Sequence, residues 1–389
     1  MNSKPNSTKI PAELKVNQIV INRPCIPKKE PSKATNFSSP SPKTGLLKIF
    51  LPIIYIINLI FDKKVIDLVG IGNAIVDIVV NVEDDFLEIN NLQKGSMNLI
   101  DINRSKNILD GCNILKKVSG GSAANTVVAL ANLGNKVEFI GRVKDDKFGN
   151  FFASDIKASG TIFQMKPVIS IEESAHSIIL ITPDAQRTMC TYLGASVEFE
   201  QQNINFKSIQ RSKYLYLEGY LWDAEKAKLA FLEAAKIANE SNTQIILSLS
   251  DSFCVERHRD SFLELIKNFV DILFCNESEL KSLFKKDVLE NCIEDIKSIC
   301  KLSIVTRGEK GSLVINNQSI EEIKPHIFGE IIDTTGAGDI YAGGFINGLI
   351  NGFSLKNCGI FGSICAGHII TKIGSRPQVN LKKLIKENI

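Results

Sequence analysis

The chain lacks the cysteine spacing of a metal site or a disulfide framework. Its nine cysteines are an odd number, and no two of them form a C-x-x-C pair, which argues against zinc modules and disulfide-stapled folds. The formal net charge is only +3, too small to indicate a nucleic-acid partner. We therefore expect reduced thiols, a cytoplasmic protein and no nucleic acid among its partners.

Two nucleotide-binding fingerprints are missing as well. No G-x-x-x-x-G-K-[ST] loop occurs, which excludes a P-loop enzyme. Gly70-Ile71-Gly72 follows a predicted strand, but the third glycine of a dinucleotide fingerprint would fall at Ile75. Another strand pattern follows where that fingerprint requires a helix, so the dinucleotide interpretation is rejected.

Residues 1–64 differ in composition from the rest of the 389-residue chain. Residues 1–44 hold seven of the twelve prolines, and eight Lys/Arg against two acidic residues, a composition that predicts a disordered basic tail. Residues 45–61 are strongly apolar but are interrupted by a lysine, a proline and an asparagine, and a spanning helix needs ~20 apolar residues. A membrane anchor through residues 45–61 is therefore the alternative, not the favoured expectation.

From residue 65 to residue 389 the sequence predicts one α/β domain. Strand patterns alternate with helical patterns through most of this region, which predicts a central, mostly parallel sheet flanked by helices on both faces. The strand-rich stretches at about 75–100 and 165–195 do not follow that alternation and predict a small β lid. An exposed lid edge would also allow an oligomer to form by strand pairing with a second copy.

Residues 333–339 (DTTGAGD) are the most informative stretch. Two glycines precede Asp339, and an apolar helical pattern follows it. Backbone N–H groups at a helix start form an anion site, and a carboxylate in the same turn can accept the proton of a hydroxyl beside the bound anion. A kinase acting on an alcohol requires this combination. The alternative is a helix whose first turn carries an Asp because the macrodipole favours it.

Two further motifs carry candidate substrate contacts. Asp77 interrupts the apolar run of residues 75–80, and a carboxylate there needs partners such as the hydroxyls of a sugar; the alternative is an Asp on the solvated face of a strand. Residues 119–126 (SGGSAANT) place paired glycines before a helix, which lets the backbone approach a ligand. Ser122 is a candidate N-cap, with Asn125 facing the glycines, and a capped helix after a tight turn is the alternative.

The three motifs stand in the order found in ribokinase-like (PfkB) carbohydrate kinases, and the chain resembles that family over about residues 65–380. They read Gly-Asn-x-x-x-Asp, Gly-Gly-Ser-x-x-Asn and Asp-Thr-x-Gly-Ala-Gly-Asp. The first two motifs, and residues 182–189 (TPDAQRTM), look more like the adenosine-kinase-like branch than like ribokinase. The resemblance implies an ATP-dependent kinase that phosphorylates the primary hydroxyl of a nucleoside or sugar, with adenosine favoured. A kinase of free ribose or fructose, and a non-catalytic binding protein on the same fold, are the alternatives.

The resemblance also implies roles for individual residues. Asp339 would be the catalytic base, kept ionised at neutral pH by the helix N-terminus, and Glu279 would organise Mg²⁺ through water. The other implied residues are, for the anion hole, Gly336, Ala337 and Gly338; for the substrate, Asn73, Asp77, Gly120, Gly121, Ser122, Asn125 and Arg187; and for ATP, Asn276, Glu279, Thr306, Gly308, Gly311 and Thr335. A monovalent cation such as K⁺ is a further implied ligand, held by carbonyls near Asp333 and residues 374–377. For an adenine clamp, Met97 and Phe163 are visible candidates.

Overall fold

The computed structural model describes residues 64–110, 112–164, 170, 172–184 and 186–389. The predicted disordered tail and the apolar segment 45–61 lie outside the described residues, as do residues 165–169, 171 and 185 of the predicted lid. Within the described part of the chain, no helix is long and apolar enough to cross a membrane.

The strands of the described residues form two sheets, one of nine strands and one of five. We number them in chain order. They are β1 (Ile66–Ile71), β2 (Ile75–Asn81), β3 (Met97–Leu99), β4 (Ile114–Gly120), β5 (Val137–Ile140), β6 (Ile162–Phe163), β7 (His176–Ile181), β8 (Arg187–Tyr192), β9 (Ser212–Glu218), β10 (Gln244–Ser248), β11 (Ile272–Asn276), β12 (Leu302–Thr306), β13 (Ser312–Asn316) and β14 (Ile320–Ile323).

The α-helices of the described residues are numbered in the same way. They are α1 (Asp84–Ile89), α2 (Ile102–Asp110), α3 (Ser122–Asn132), α4 (Lys147–Ala158), α5 (Phe206–Gln210), α6 (Glu225–Glu240), α7 (Ser252–Asn268), α8 (Glu277–Phe284), α9 (Leu289–Ile299), α10 (Ala337–Ile350), α11 (Leu355–Ile369) and α12 (Leu381–Glu387). A short 3₁₀ segment, Gly219–Asp223, follows β9 directly.

The large sheet has the strand order β14-β13-β12-β11-β10-β9-β1-β5-β6. Its strands pair in parallel from β12 to β6, and β13 and β14 add an antiparallel edge. Alternate residues of β1 enter different cores. Val69 and Ile71 pack with apolar residues of α6 and α7, whereas Leu68 packs with those of α3 and α10. The predicted mostly parallel sheet with helices on both faces is therefore confirmed.

The small sheet has the strand order β3-β8-β7-β2-β4. It contains the β7–β8 hairpin that the sequence predicts, with Ile181 opposite Arg187. The strand β4, which pairs with β2, is missing from the sequence prediction. Its first five residues, including Lys116 and Lys117, are exposed or half-buried, so the segment lacks the apolar alternation by which a strand is recognised.

The two sheets meet at the short connection between β1 and β2. Only residues 72–74 separate the two strands, so the small sheet begins at the carboxyl edge of the large one. Parallel strands end at a common edge, where open α/β sheets bind their ligands. Polar residues end four of them, namely Glu218 on β9, Ser248 on β10, Asn276 on β11 and Thr306 on β12.

Candidate active site

A cavity of about 850 Å³ lies at this edge, within the size range of small-molecule sites. Residues of both sheets and of the α3 and α10 starts line it. The predicted site residues among them are Asn73, Asp77, Gly121, Ser122, Asn125, Asn276, Glu279, Thr306, Thr335, Gly336, Ala337, Gly338 and Asp339. The structure thus brings residues from all three sequence motifs to one cavity.

Asp339 lies in the first turn of α10, half-buried at the cavity wall. Ser122 Oγ donates a hydrogen bond of 2.6 Å to its Oδ1, and Asn125 Nδ2 one of 2.9 Å to its Oδ2. Burial raises the pKa of Asp339 to about 6, while these hydrogen bonds and the charge of Arg376 oppose the rise. The carboxylate therefore stays mostly ionised at neutral pH, although its pKa lies above the ordinary value.

The turn before α10 supplies backbone donors. Gly336 adopts the left-handed φ of 74° and is the N-cap; a Cβ there would lie 2.5 Å from the Cβ of Ser375. Ala337 N donates to Thr334 O at 3.1 Å and so closes the turn. The N–H groups of Gly336 and Gly338 have no acceptor among the described residues. They are the donors that this turn leaves available for an anion.

The first motif approaches Gly120 and Gly121 so closely that neither position has room for a side chain. A Cβ on Gly120 would lie 2.3 Å from Asp77 Oδ2, and one on Gly121 would lie 2.2 Å from Asn73 O. Gly121 is also the N-cap of α3, with a φ of 98° and no side-chain cap. The predicted capping role of Ser122 is therefore wrong, since Ser122 is the first helical residue and its hydroxyl is bonded to Asp339.

Glu218 is a cavity residue that the sequence reasoning missed. It ends β9 and is 1% exposed. Its Oε1 accepts from Asn73 N (3.2 Å) and Nδ2 (2.7 Å), and its Oε2 accepts from Ala123 N (2.8 Å). Burial raises the pKa of Glu218 to about 7, against the effect of these hydrogen bonds. Glu218 thus fixes Asn73 against the start of α3, and Asn73 Oδ1 is left buried without a partner in the described part of the chain.

Asp77 is held close to a buried guanidinium. Burial raises the pKa of Asp77 to about 7, and the charges of Arg376 and Arg187 oppose that rise. No hydrogen bond to its carboxylate comes from the described residues. Arg376 donates through Nε to Ser119 O at 2.6 Å and through Nη1 to Ala124 O at 3.0 Å. No sequence pattern indicates a role for this arginine beyond its place in residues 374–377.

The segment after β11 begins with a capping box. Asn276 Oδ1 accepts from Glu279 N (2.8 Å), and Glu279 Oε1 accepts from Asn276 Nδ2 (2.6 Å). Burial raises the pKa of Glu279 to about 7. The described residues contain no group of three His, Cys, Asp or Glu side chains that could hold a metal ion. The side-chain oxygens of Asn276 and Glu279 fit a hard cation such as Mg²⁺, which keeps most of its water and takes its other ligands from phosphates.

Gly308 and Gly311, expected beside ATP, lie in the turn between β12 and β13. They are not among the residues that line the cavity. Both have positive φ, and a Cβ on Gly311 would lie 2.0 Å from Ile323 O of β14. Backbone conformation and close strand packing therefore account for both glycines, and their contact with ATP stays a prediction.

Both carboxylate oxygens of Asp333 already accept hydrogen bonds from backbone N–H groups. Asp333 Oδ1 accepts from Thr335 N (2.9 Å), and its Oδ2 accepts from Gly374 N (2.7 Å). The guanidinium of Arg187 lies 2.7 Å from the same Oδ2. A monovalent cation at this carboxylate would meet the positive charge of Arg187, which is already in contact with it. The expected K⁺ site is formed by carbonyls, so it stays a prediction.

One wall of the cavity is apolar and aromatic. Met97 and Met189 of the small sheet line it, together with Tyr220 and Phe253. Phe253 is 69% exposed and Tyr220 is 36% exposed, so both rings are available to a ligand. Phe163 is buried in the core against Phe139 and Phe152, and its candidacy as an adenine clamp is therefore wrong. Tyr220 and Phe253 carried no sequence signal, because neither belongs to a motif that indicates a ligand.

The carboxylates of the cavity outnumber its cations. The described lining residues include one arginine, Arg257, and six carboxylates, namely Asp77, Glu218, Asp223, Asp251, Glu279 and Asp339. That arginine is already paired with Asp223, at 2.8 Å. Next to these carboxylates, a ligand group that donates hydrogen bonds is favoured over an anionic one, whereas the backbone donors of Gly336 and Gly338 suit an anion.

A carboxylate beside free backbone donors, at the carboxyl edge of a parallel sheet, is the arrangement that phosphoryl transfer to an alcohol requires. A family model described as pfkB family carbohydrate kinase matches residues 91–381. The chain belongs to this family and is a phosphotransferase with an alcohol group as acceptor.

Two solved structures are similar over most of the chain. The adenosine kinase from Sinorhizobium meliloti is 41% identical, with a TM-score of 0.78, and the alignment covers 83% of this chain and 99% of that one. A probable sugar kinase from Rhizobium etli is 39% identical, also with a TM-score of 0.78, over 83% of this chain and 98% of that one. The probable chloroplastic fructokinase-6 of Arabidopsis thaliana is 25% identical over 70% of this chain and 74% of its own length.

Proposed function

We propose that the protein transfers the γ-phosphoryl group of ATP to the primary hydroxyl of adenosine. The observation that carries the choice of acceptor is the pair of accessible rings, Tyr220 and Phe253, on the wall of the cavity that also holds Asp339. Flat apolar surfaces of this kind suit a nucleobase. The 41% identity with an adenosine kinase supports the same acceptor.

The charge of the cavity supports a neutral acceptor. A phosphorylated sugar would have to sit beside Asp77 and Glu218, with Arg257 already paired. The hydroxyls of a ribose, in contrast, would donate to Asp77 and to the unpartnered Asn73 Oδ1. Each such bond relieves a buried acceptor that lacks a donor in the described structure.

In the proposed reaction Asp339 accepts the proton of the primary hydroxyl as that oxygen bonds to the γ-phosphorus, while the bond from this phosphorus to the β–γ bridging oxygen breaks and ADP leaves with the electron pair. Ser122 and Asn125 hold both carboxylate oxygens and so fix the direction of the base. The free N–H groups of Gly336 and Gly338 stabilise charge on the transferred phosphoryl group. When bound, Mg²⁺ supplies positive charge to the phosphates, and Glu279 and Asn276 are the residues that would hold its water shell.

A coupled ADP-release assay over adenosine, guanosine, inosine, ribose and fructose tests the proposal. We expect adenosine to give the highest kcat/KM, with a low background when no acceptor is present. A preference for ribose or fructose would contradict it and would favour a free-sugar kinase, the second candidate, which the fructokinase relative supports. Calorimetric binding of adenosine without ADP release would instead indicate a non-catalytic binding protein.

A further inference from the structure

Arg187 connects the small sheet to the turn that carries the anion-binding donors. It begins β8, opposite Ile181. Its Nη2 lies 2.7 Å from Asp333 Oδ2, and its Nη1 donates to Thr335 Oγ1 at 3.4 Å. These are contacts between residues that are almost 150 positions apart in sequence, so the pairing is a tertiary contact between the small sheet and the turn before α10.

The ion pair differs from the surface pairs of the molecule by its burial. The side chains of Arg187 and Asp333 are 12% and 1% exposed. A buried pair of this kind is strongly destabilised when one partner alone is removed, because the other charge is left without compensation. Screening by solvent, which weakens exposed pairs, has little effect here.

Asp333 also accepts hydrogen bonds from backbone N–H groups of the turn before α10 and of the segment after α11. Its Oδ1 accepts from Thr335 N, next to the Gly336 N-cap, and its Oδ2 accepts from Gly374 N. Gly336 in turn packs on Ser375. The carboxylate therefore ties together the two segments that define the donor turn, and Arg187 is the cation that balances its charge.

Arg187 itself is not among the residues that line the cavity. We propose that Arg187 is a positioning residue, which acts through Asp333 to hold the turn of Thr335–Gly338 in its anion-binding form whenever the small sheet is in place. The sequence resemblance implies a substrate contact for Arg187; the geometry assigns it to the turn instead. This inference rests on the proposed kinase reaction for its kinetic test, but its backbone test is independent of activity.

A double-mutant cycle separates the two roles. We expect Arg187→Gln to lower kcat and raise the KM for ATP, together by about tenfold or more in kcat/KM, with the KM for adenosine changed less than about twofold. Arg187→Lys should recover part of the loss, since the charge is kept. In an Asp333→Asn background, Arg187→Gln should cause almost no further rise in the KM for ATP, because its partner charge is already gone. Its smaller effect on the KM for adenosine, through the charge it exerts on Asp77, should be the same in both backgrounds.

Direct contact of Arg187 with substrate predicts the opposite pattern. Arg187→Gln would then lower kcat/KM by the same factor in the wild-type and in the Asp333→Asn background, and that result would overturn the proposal. Lys213→Gln is the matched control, since it removes an ion pair with Asp67 at 2.8 Å near the start of β1 and β9. It should leave kcat/KM within about twofold of the wild type.

Hydrogen exchange of the ligand-free protein gives a readout without turnover. We expect the amides of Thr335 and Gly374 to exchange faster in Arg187→Gln, while those of β10 keep their protection. Unchanged exchange at both amides would overturn the proposal even if activity fell. If the wild type released no ADP with any acceptor, the proposed function would fail, and the exchange experiment would still decide the role of Arg187.

Discussion

Asn125 Nδ2 donates to Asp339 Oδ2 across 2.9 Å, and so joins the first turn of α3 to the first turn of α10. Two helix N-termini thus meet at one carboxylate. The positive ends of both helices favour its ionised form, while burial acts in the other direction. The result is a base whose pKa, about 6, lies near the operating range of a general base.

The effect of Ser122→Ala on the acid limb of the pH profile should report this carboxylate, because Asp77, Glu218 and Glu279, whose pKa values burial raises to about 7, contribute to the limb in both proteins. Asp339 must be ionised to accept a proton, so kcat/KM for the acceptor should fall as the pH drops through about 6. Ser122→Ala removes a hydrogen bond that lowers the pKa of Asp339, so the limb should move to higher pH. Initial rates between about pH 5 and 8 measure it; a limb that stayed in place or moved to lower pH would contradict the assignment.

Asp77→Asn should stabilise the fold at high pH while it impairs catalysis. The folded-state pKa of Asp77, about 7, lies above the ordinary value of 3.8. Stability is therefore lost as the pH rises from the unfolded pKa through the folded one, because ionisation then favours the unfolded chain. The upper bound is about 4 kcal/mol at about pH 8, from roughly three pKa units.

Urea unfolding of Asp77→Asn at about pH 4 and about pH 8 tests this sign. The gain in the free energy of unfolding should be small at the lower pH and larger at the higher. Asp260→Asn is the control, because Asp260 is 88% exposed. Equal gains at the two pH values would show that burial of Asp77 does not carry a charge penalty.

Glu218→Gln should weaken acceptor binding more than turnover. The substitution removes the negative charge that accepts from Asn73 and Ala123, and bonds to charged acceptors are the stronger ones. We expect the KM for adenosine to rise about tenfold, with kcat changed less. Glu138→Gln is a matched control, since Glu138 is another buried strand glutamate, 3% exposed, that does not line the cavity. A loss confined to kcat would contradict the positioning role of Glu218.

Tyr220→Ala and Phe253→Ala should separate nucleoside from sugar. If these rings bind the base, each variant should raise the KM for adenosine by roughly tenfold, the scale of a lost stacking contact. The KM for ribose should stay nearly constant, since ribose has no base. Phe353→Ala, an exposed aromatic outside the cavity wall, is the control. Equal rises in the KM for adenosine and in the KM for ribose would show that the two rings do not contact the base.

Some of this site was predictable because its signals are local. The glycines before Asp339 and the pair at Gly120 stand at fixed short spacings, and those spacings determine backbone conformation and close approach. The alternating fold was predictable for the same reason, from periodicity within each segment.

Other parts depend on contacts that no local pattern encodes. Glu218 and Tyr220 are single residues at the end of a strand, and their role follows only from the strand order. Arg376 reaches Ser119 and Ala124 across more than 250 positions. Phe163 has the same local character as a ligand-binding aromatic, and only its packing against Phe152 shows that it is a core residue.

The central claim is that Asp339 is the base of a phosphoryl transfer to an alcohol. The most direct test is single-turnover ADP formation by Asp339→Asn, with adenosine binding measured in parallel by calorimetry. We predict a rate lower by ~10²–10⁴-fold with adenosine affinity largely kept. A rate close to that of the wild type would contradict the account.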